Sequence, residues 1–552
     1  MMETTIMNEE ERRMSKYMTQ KKGLFFAYFV LTLLASVGGV GFAFVLSEVI
    51  NQAAAGNMQG LLWAITGGLL FILAAVSCEY LYDRVLNRLL YCARTSLKQD
   101  LFCAYFRKNT ADYEKDNSAQ YINEITSNVN TFSDVYFTNV LQLPMVFLVF
   151  CMAVVLCILI EPTMLFVIVA FSVVIAVVSK KCGQRLQNST GALAQGNGRY
   201  LAALKDYFAG YRLIKNYNCA AAVTALHQKE NEEAERLKEK NSNDGSLYAR
   251  VNELLGLAST LAIMGVAGVF AVKGSFEIGI VFAFGQLAGK IMSPIMQASG
   301  IYVQFQSAKA LSVKFSESLK TEGGNRKKQE RKAEFCSGIT VQDLRFAYPD
   351  RTLRYADKTF NKGGKYLITG QSGSGKSTFL NLLAGMYDNY EGSLRYDDVE
   401  VRDMEAESLS LLVSVVSQEA FLFNDTLKNN ITLYDNRYQE EEIQRAVRLA
   451  GLEEFVKGLS HDGENGLEVR VSENGSNFSG GEKQRINLAR AILKGSLVLL
   501  LDEITASLDE KTADEVERAV LALEGATVLF VTHKVNERLA GFYDGRYEVD
   551  LR

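Results

Sequence analysis

Five stretches of this chain run for at least 18 residues without an Asp, Glu, Lys or Arg: Leu24–Leu46, Gly60–Cys78, Val135–Ile160, Pro162–Ser179 and Leu254–Val272. Each is long enough to cross the hydrocarbon of a bilayer, where only a helix or a closed barrel satisfies its own backbone. A sixth, from Ile278 to about Gly300, is interrupted by Lys290. Buried helices of a large soluble protein would not stay uncharged over so many lengths. The first run exceeds the core of a cleaved leader and more such runs follow, so it is expected to be a retained span. Basic residues then set the orientation. Arg12, Arg13, Lys16, Lys21 and Lys22, the Arg84/Arg88/Arg94/Lys98 group and Lys180/Lys181/Arg185 fall on one side, whereas Asn51–Gln59 has no Lys or Arg. This bias predicts that both termini are cytoplasmic.

The inner connections, 79–134 and 180–253, are long and not disordered in pattern. Leu201, Leu204, Phe208, Tyr211 and Ile214 recur at helical spacing before a Glu/Lys-rich stretch. An arm of about 25 residues would extend roughly 38 Å as a helix, enough to reach a cytoplasmic domain; a solvated hairpin without a coupling role gives the same pattern. Residues 321–334 (TEGGNRKKQERKAE) combine glycines with a charge run and read as a linker. A soluble domain is expected over 335–552, after a membrane domain over 1–320. The net charge of −4 gives no basic field for nucleic acid. Eight cysteines without CxxC spacing and three histidines make a metal centre or disulfide framework a poor reading.

Within the second domain, Gly370-Gln371-Ser372-Gly373-Ser374-Gly375-Lys376-Ser377 matches a phosphate-binding loop. It lies between an apolar strand, Tyr366–Ile368, and a helical segment, Thr378–Leu383. The glycines let successive N–H groups face phosphates at a helix N-terminus. Lys376 would neutralise phosphate charge, and Ser377 would hold Mg²⁺. Farther on, Leu497–Leu501 reads as a buried strand delivering two acids at its end: Asp502 for Mg²⁺ and Glu503 to polarise an attacking water. The pair predicts nucleotide binding and hydrolysis.

Between them lies Phe478-Ser479-Gly480-Gly481-Glu482-Lys483-Gln484-Arg485, which resembles the signature motif of ATP-binding cassette (ABC) proteins. Ser-Gly-Gly ahead of a helix is a second anion site or, more simply, a helix cap. The resemblance implies roles for an ordered set of further positions. Tyr348 matches the adenine-stacking aromatic, Gln418 the loop glutamine at Mg²⁺, Ser507-Leu508-Asp509 the loop at the dimer interface, and His533 the switch histidine. ATP-binding positions are thus Tyr348, Gly370, Ser372, Gly373, Gly375, Lys376, Ser377, Thr378, Ser479, Gly480, Gly481 and Asp509. Catalytic positions are Glu503, His533 and Gln418, and metal positions are Ser377, Gln418 and Asp502. Phe478 and Glu482 depart from the usual leucine and glutamine, without removing backbone donors.

The expected fold is multi-domain, an all-α six-helix transmembrane domain followed by an α/β P-loop nucleotide-binding domain. The resemblance is to a half-transporter of the exporter type. It implies a second such chain, with the signature segment of one closing over the phosphate loop of the other; intact Glu503 and His533 favour a homodimer, and a heterodimer remains open. The implied activity is ATP hydrolysis driving an amphipathic drug-like compound, lipid or peptide out across a bacterial plasma membrane. A regulatory subunit and an importer of the same architecture are the alternatives. Lys290, ionisable within a span, either meets an anionic substrate group or snorkels or pairs with a carboxylate.

Overall fold

The computed structural model describes residues 14–108, 113, 118–320, 335–348, 351–418, 420–460, 465–506, 508–533 and 535–550. The expected linker, Arg12, Arg13 and Ser507 lie outside them. The chain divides near residue 321 into two compact units.

The first unit is built from six long helices: α1 (Lys22–Ala54), α2 (Met58–Phe106), α3 (Ser118–Ile160), α4 (Pro162–Ala209), α6 (Ala220–Val272) and α7 (Ile278–Lys320), with a short α5 (Tyr211–Asn216) after α4. All six are long and apolar enough to cross a membrane. Four run well beyond their uncharged stretches, so each span continues as a polar rod without a break. Lys290 and Pro294 do not interrupt α7. The residues at helical spacing after Leu201 are helical, as the pattern predicts. Leu201, Phe208 and Tyr211 are nevertheless exposed, because the chain breaks at Gly210 and no neighbour in this unit covers them.

Hydrocarbon gives apolar side chains no reason to cluster, so helices associate where small residues let backbones approach. A Cβ at Gly38 would lie 2.9 Å from that of Ala75, and one at Gly68 would lie 2.6 Å from Val45 Cγ1, which fixes the α1–α2 contact. At the other end of α1, Asn51 Oδ1 accepts from the Gly279 N–H at 2.7 Å, and a Cβ at Gly279 would sit 2.1 Å from the Ser47 carbonyl. The inner end of α3 contains two π-helical segments, Glu124–Asn128 and Ser133–Phe137. There the buried Glu124 carboxylate pairs with Lys314 at 2.5 Å and accepts from the Tyr105 hydroxyl, tying α2, α3 and α7 together. An aromatic cluster of Phe132, Phe137 and Phe315 packs beside it.

The second unit has two sheets. Strands β1 (Gly338–Ala347), β2 (Thr352–Arg354), β3 (Lys358–Asn361), β5 (Tyr390–Tyr396) and β6 (Val399–Glu400) form an antiparallel sheet. A parallel sheet holds β10 (Gly545–Glu548), β4 (Lys365–Thr369), β9 (Thr527–Val531), β8 (Val498–Asp502) and β7 (Val413–Val416), in that spatial order. Strands β4 and β9 are buried along their whole length and β8 over all but Asp502, as continuous apolar runs in a parallel sheet should be.

Overpacking at a close helix contact typically costs about 1–3 kcal/mol. Gly279→Ala should therefore lower the melting temperature of the purified protein, measured by thermal unfolding in detergent. Gly268→Ala, where an added Cβ meets nothing within 4 Å, should leave it unchanged.

Candidate nucleotide and metal site

Four neighbouring parallel strands end at one edge of the sheet, and each carries a site residue just past its C-terminal end. The phosphate-binding loop follows β4, His533 follows β9, Asp502 and Glu503 end β8, and Gln418 follows β7. In an open parallel sheet this carboxyl edge is where ligands bind.

The loop between β4 and the helix α8 (Lys376–Leu383) bends through Gly373 at φ +80° and Gly375 at φ +97°, left-handed conformations that glycine adopts without penalty. A Cβ at Gly375 would also strike Leu353 Cδ1 at 2.7 Å. Beneath the loop, Tyr355 Oη donates to the Gly375 carbonyl at 3.0 Å. Lys376 is buried, and its ammonium donates to the carbonyls of Gly370 (3.0 Å) and Gln371 (2.9 Å). Burial holds its pKa below the usual lysine value, against the opposing pull of Glu503 and Asp502. Ser372 and Ser377 are exposed, whereas Thr378 is buried and its hydroxyl lies 3.1 Å from Tyr348 Oη. Arg351 covers the Tyr348 ring at 5.4 Å, and its guanidinium donates to the Gly373 carbonyl at 3.4 Å.

The acids sit opposite. Glu503 takes φ +51°, costly for a residue with a side chain, and its N–H donates to the Val531 carbonyl of β9 at 3.1 Å. Its carboxylate is shared, with His533 Nε2 at 2.7 Å from one oxygen and Gln418 Nε2 donating to the other at 3.3 Å. The Gln418 main chain is in turn fixed by Gln484, whose side-chain amide donates to the Gln418 backbone carbonyl at 3.2 Å. Asp502 receives a hydrogen bond from Ser377, yet its Oδ1 is buried with no partner among the described residues. Desolvation, with Glu503 adding to it, raises the Asp502 pKa. Ser374 Oγ is a second buried atom of this site without a partner among the described residues. A cation held by Ser377, Asp502 and Gln418 fits this donor set: all three offer oxygen, which Mg²⁺ prefers, and the orphaned carboxylate oxygen lacks only a positive partner.

The signature segment lies at the start of helix α9 (Gly480–Lys494). Ser479 is its N-cap: its hydroxyl accepts from the Glu482 N–H at 3.3 Å, and Glu482 returns the bond to the Ser479 N–H at 2.7 Å. The unusual Glu482 thus closes a capping box. Phe478 is buried against Phe455 at 5.3 Å, filling the apolar position usually held by leucine. Asp509 caps α10 (Glu510–Leu521), accepting from the Thr512 N–H at 3.0 Å. The sequence reading gave no role to Arg351, Tyr355 or Gln484, which brace the loop, the Tyr348 ring and the Gln418 main chain. Arg351 and Tyr355 carry no motif, and Gln484 lies inside the signature segment without any sign there of the contact it makes, so only the fold could disclose these roles.

A phosphate-binding loop and paired acids on one sheet edge define a nucleotide hydrolase, here in one chain with six membrane-length helices. Residues 25–295 match the ABC transporter transmembrane region and residues 353–506 the ABC transporter family, together well over half the chain. The chain belongs to the ABC transporter family, as a fused membrane and ATPase subunit of exporter type in which ATP hydrolysis is coupled to transport. It is similar to an ATP-dependent lipid A-core flippase of Syntrophus aciditrophicus, 26% identical over 87% of this chain and 80% of that one. An uncharacterized ABC transporter ATP-binding protein of Bacillus subtilis, YfiC, is 24% identical over 95% and 87%. A bacterial Atm1-family ABC exporter with ATP bound shares the fold, with a TM-score of 0.79 at 18% identity over 96% of this chain and 95% of that one.

A raised carboxyl pKa means that the folded domain binds this proton more tightly than the unfolded chain does. Asp502 therefore favours folding below the ordinary carboxylate range and costs stability as pH rises through its raised value. Asp502→Asn should raise the nucleotide-free melting temperature by a few degrees at pH 7.5, with the difference shrinking towards pH 4. The variant should also lose most of the stabilisation that Mg²⁺ with ATP gives the wild type, measured by differential scanning fluorimetry.

Proposed function

We propose that the chain is one half of a homodimeric exporter. Its membrane domain would be 1–320, its linker 321–334 and its nucleotide-binding domain 335–552, with both termini on the cytoplasmic side of a bacterial plasma membrane. The observation that carries the reading is the Glu503 carboxylate, held by both His533 and Gln418 beside the phosphate-binding loop. Degenerate half-sites would lack that constellation.

In this reading Tyr348 stacks on adenine. Gly370, Ser372, Gly373, Gly375 and Thr378 shape the cradle for the phosphates, and Lys376 neutralises their charge. Mg²⁺, held by Ser377, Asp502 and Gln418, would offset the charge between the outer phosphates. Glu503 orients a water and takes its proton, while His533 fixes the carboxylate and reaches towards the γ-phosphate. In a second copy, Ser479, Gly480 and Gly481 would present the α9 N-terminus to the same phosphate, and Asp509 would line the seam. For that contact the Ser479 hydroxyl must turn from its capping bond. Closure of two cassettes on ATP would turn the membrane cavity outward, and hydrolysis would reset it. The cargo is an amphipathic molecule: drug-like compound, lipid or peptide. The flippase name of one relative supports the lipid member of that set.

The experiment is ATP hydrolysis by the chain alone, purified in lipid discs. The wild type should hydrolyse ATP, and Glu503→Gln should cut the rate about 10²-fold or more while nucleotide binding persists. A well-folded wild type that binds ATP without hydrolysing it would replace the homodimer with an obligate mixed pair.

A further inference from the structure

Two of the cavities in the membrane unit have linings that share no residue and differ in chemistry. One, of about 200 Å³, lies among α1, α2 and α7 and includes an acid and a base, Glu79 and Lys290. The other, of about 610 Å³, lies among α3, α6 and α7, and no Lys, Arg, His, Asp or Glu lines it. Instead it gathers five carboxamides: Asn139, Gln142, Asn252, Gln297 and Gln304. They come from three helices, near the ends of the spans that the charge bias assigns to the cytoplasm.

Some of these amides are already engaged. Asn139 Nδ2 donates to Gln304 Oε1 at 2.8 Å, Ser179 Oγ donates to Asn252 Oδ1 at 2.5 Å, and Gln297 Nε2 donates to Ser293 Oγ at 2.8 Å. Among the described residues, those bonds leave the Asn252 amide nitrogen and the Gln297 side-chain carbonyl oxygen unused. Gln142 has no hydrogen-bond partner among the described residues. An apolar wall of Leu143, Val146, Met292, Met296 and Ile301 completes the cavity. The methionines can adapt to an acyl chain.

Gln142, Gln297 and Gln304 are exposed, so the cavity is open on one side, and an ionised group seated against it meets no opposite charge and only uncharged hydrogen-bonding partners. A carboxamide both donates and accepts, so it pairs well with other amides. Lys290, the one ionisable group within the sixth span, lines the other cavity beside Glu79, not this one. We propose that the amide-lined cavity is where cargo loads, and that it selects an amphiphile with an uncharged, peptide-like polar end over an anionic lipid. The proposal rests on the export reading and narrows its substrate class.

The test is equilibrium binding, without ATP, to the full chain in discs of zwitterionic lipid, with protein-free discs as background. Three radiolabelled probes share one lauroyl chain: lauroyl-glycyl-glycinamide (neutral), lauroyl-glycyl-glycine (anionic) and lauroyl-glycyl-lysinamide (cationic). The wild type should bind the neutral probe at least tenfold more tightly than the anionic one. Gln142→Leu should weaken neutral binding about tenfold, and Lys290→Ala should leave it unchanged. Gln142→Glu keeps the side-chain shape, so it guards against a mere folding defect, and it should shift preference to the cationic probe. Three results would overturn the proposal: anionic binding equal to or tighter than neutral, loss of neutral binding through Lys290→Ala but not the Gln142 variants, or no binding of any probe. Because no ATP is present, these outcomes are independent of whether the chain alone hydrolyses nucleotide.

Discussion

Hydrocarbon offers no partner for a backbone N–H or C=O, and the first half of this chain is arranged around that constraint. Every uncharged run must close its hydrogen bonds within itself, so every one is a helix. A helix started in lipid has no reason to stop at the interface when the residues that follow are good helix formers. Hence α2, α4 and α6 continue far past their apolar stretches as polar rods. Their pairing then depends on small residues and on a few internal polar bonds. Close approach at Gly38 and Gly68 sets one contact, and the Glu124–Lys314 pair another. The latter is retained where α3 winds into π-helical turns, a distortion that places the carboxylate inward against α2 and α7.

In the second unit the organising device is the edge of a parallel sheet. Residues far apart in sequence meet because β4, β9, β8 and β7 lie side by side and run the same way. Each strand end delivers one element of the site: loop, histidine, acids, glutamine. The strands are buried and rigid, so the convergence is fixed before any ligand arrives. Two costs remain there, the left-handed backbone of Glu503 and the partnerless Asp502 oxygen. Both are stability given up at the candidate site, as strained backbone and unpaired polar groups at functional positions commonly are.

Several site residues serve the fold as well as the proposed chemistry. Ser479 and Asp509 are helix caps, and Glu482 completes a capping box that the more usual glutamine would also complete, without the charge. The two readings are compatible because a helix N-terminus needs acceptors, and a phosphate is simply a stronger one than a side-chain oxygen. In the proposed dimer, a second copy of the chain would bring that phosphate to the helix.

The sequence by itself determined what local chemistry dictates. The uncharged lengths specified spanning helices, glycines at fixed offsets before a lysine specified a phosphate loop, and an apolar strand ending in two acids specified a hydrolytic edge. These signals are short-range, so Lys376, Asp502, Glu503 and the ordered motifs around them were legible without coordinates. Only the tertiary structure decided which of them touch. Glu503 bonds both His533 and Gln418, while Tyr355 and Arg351, which carry no motif, and Gln484, whose motif gives no hint of this contact, brace the site from neighbouring elements. Within the membrane unit it also separated Lys290 from the carboxamides. Residues close together on α7 differ by helical phase in the cavity they line, and that phase acquires meaning only when neighbouring helices pack against it.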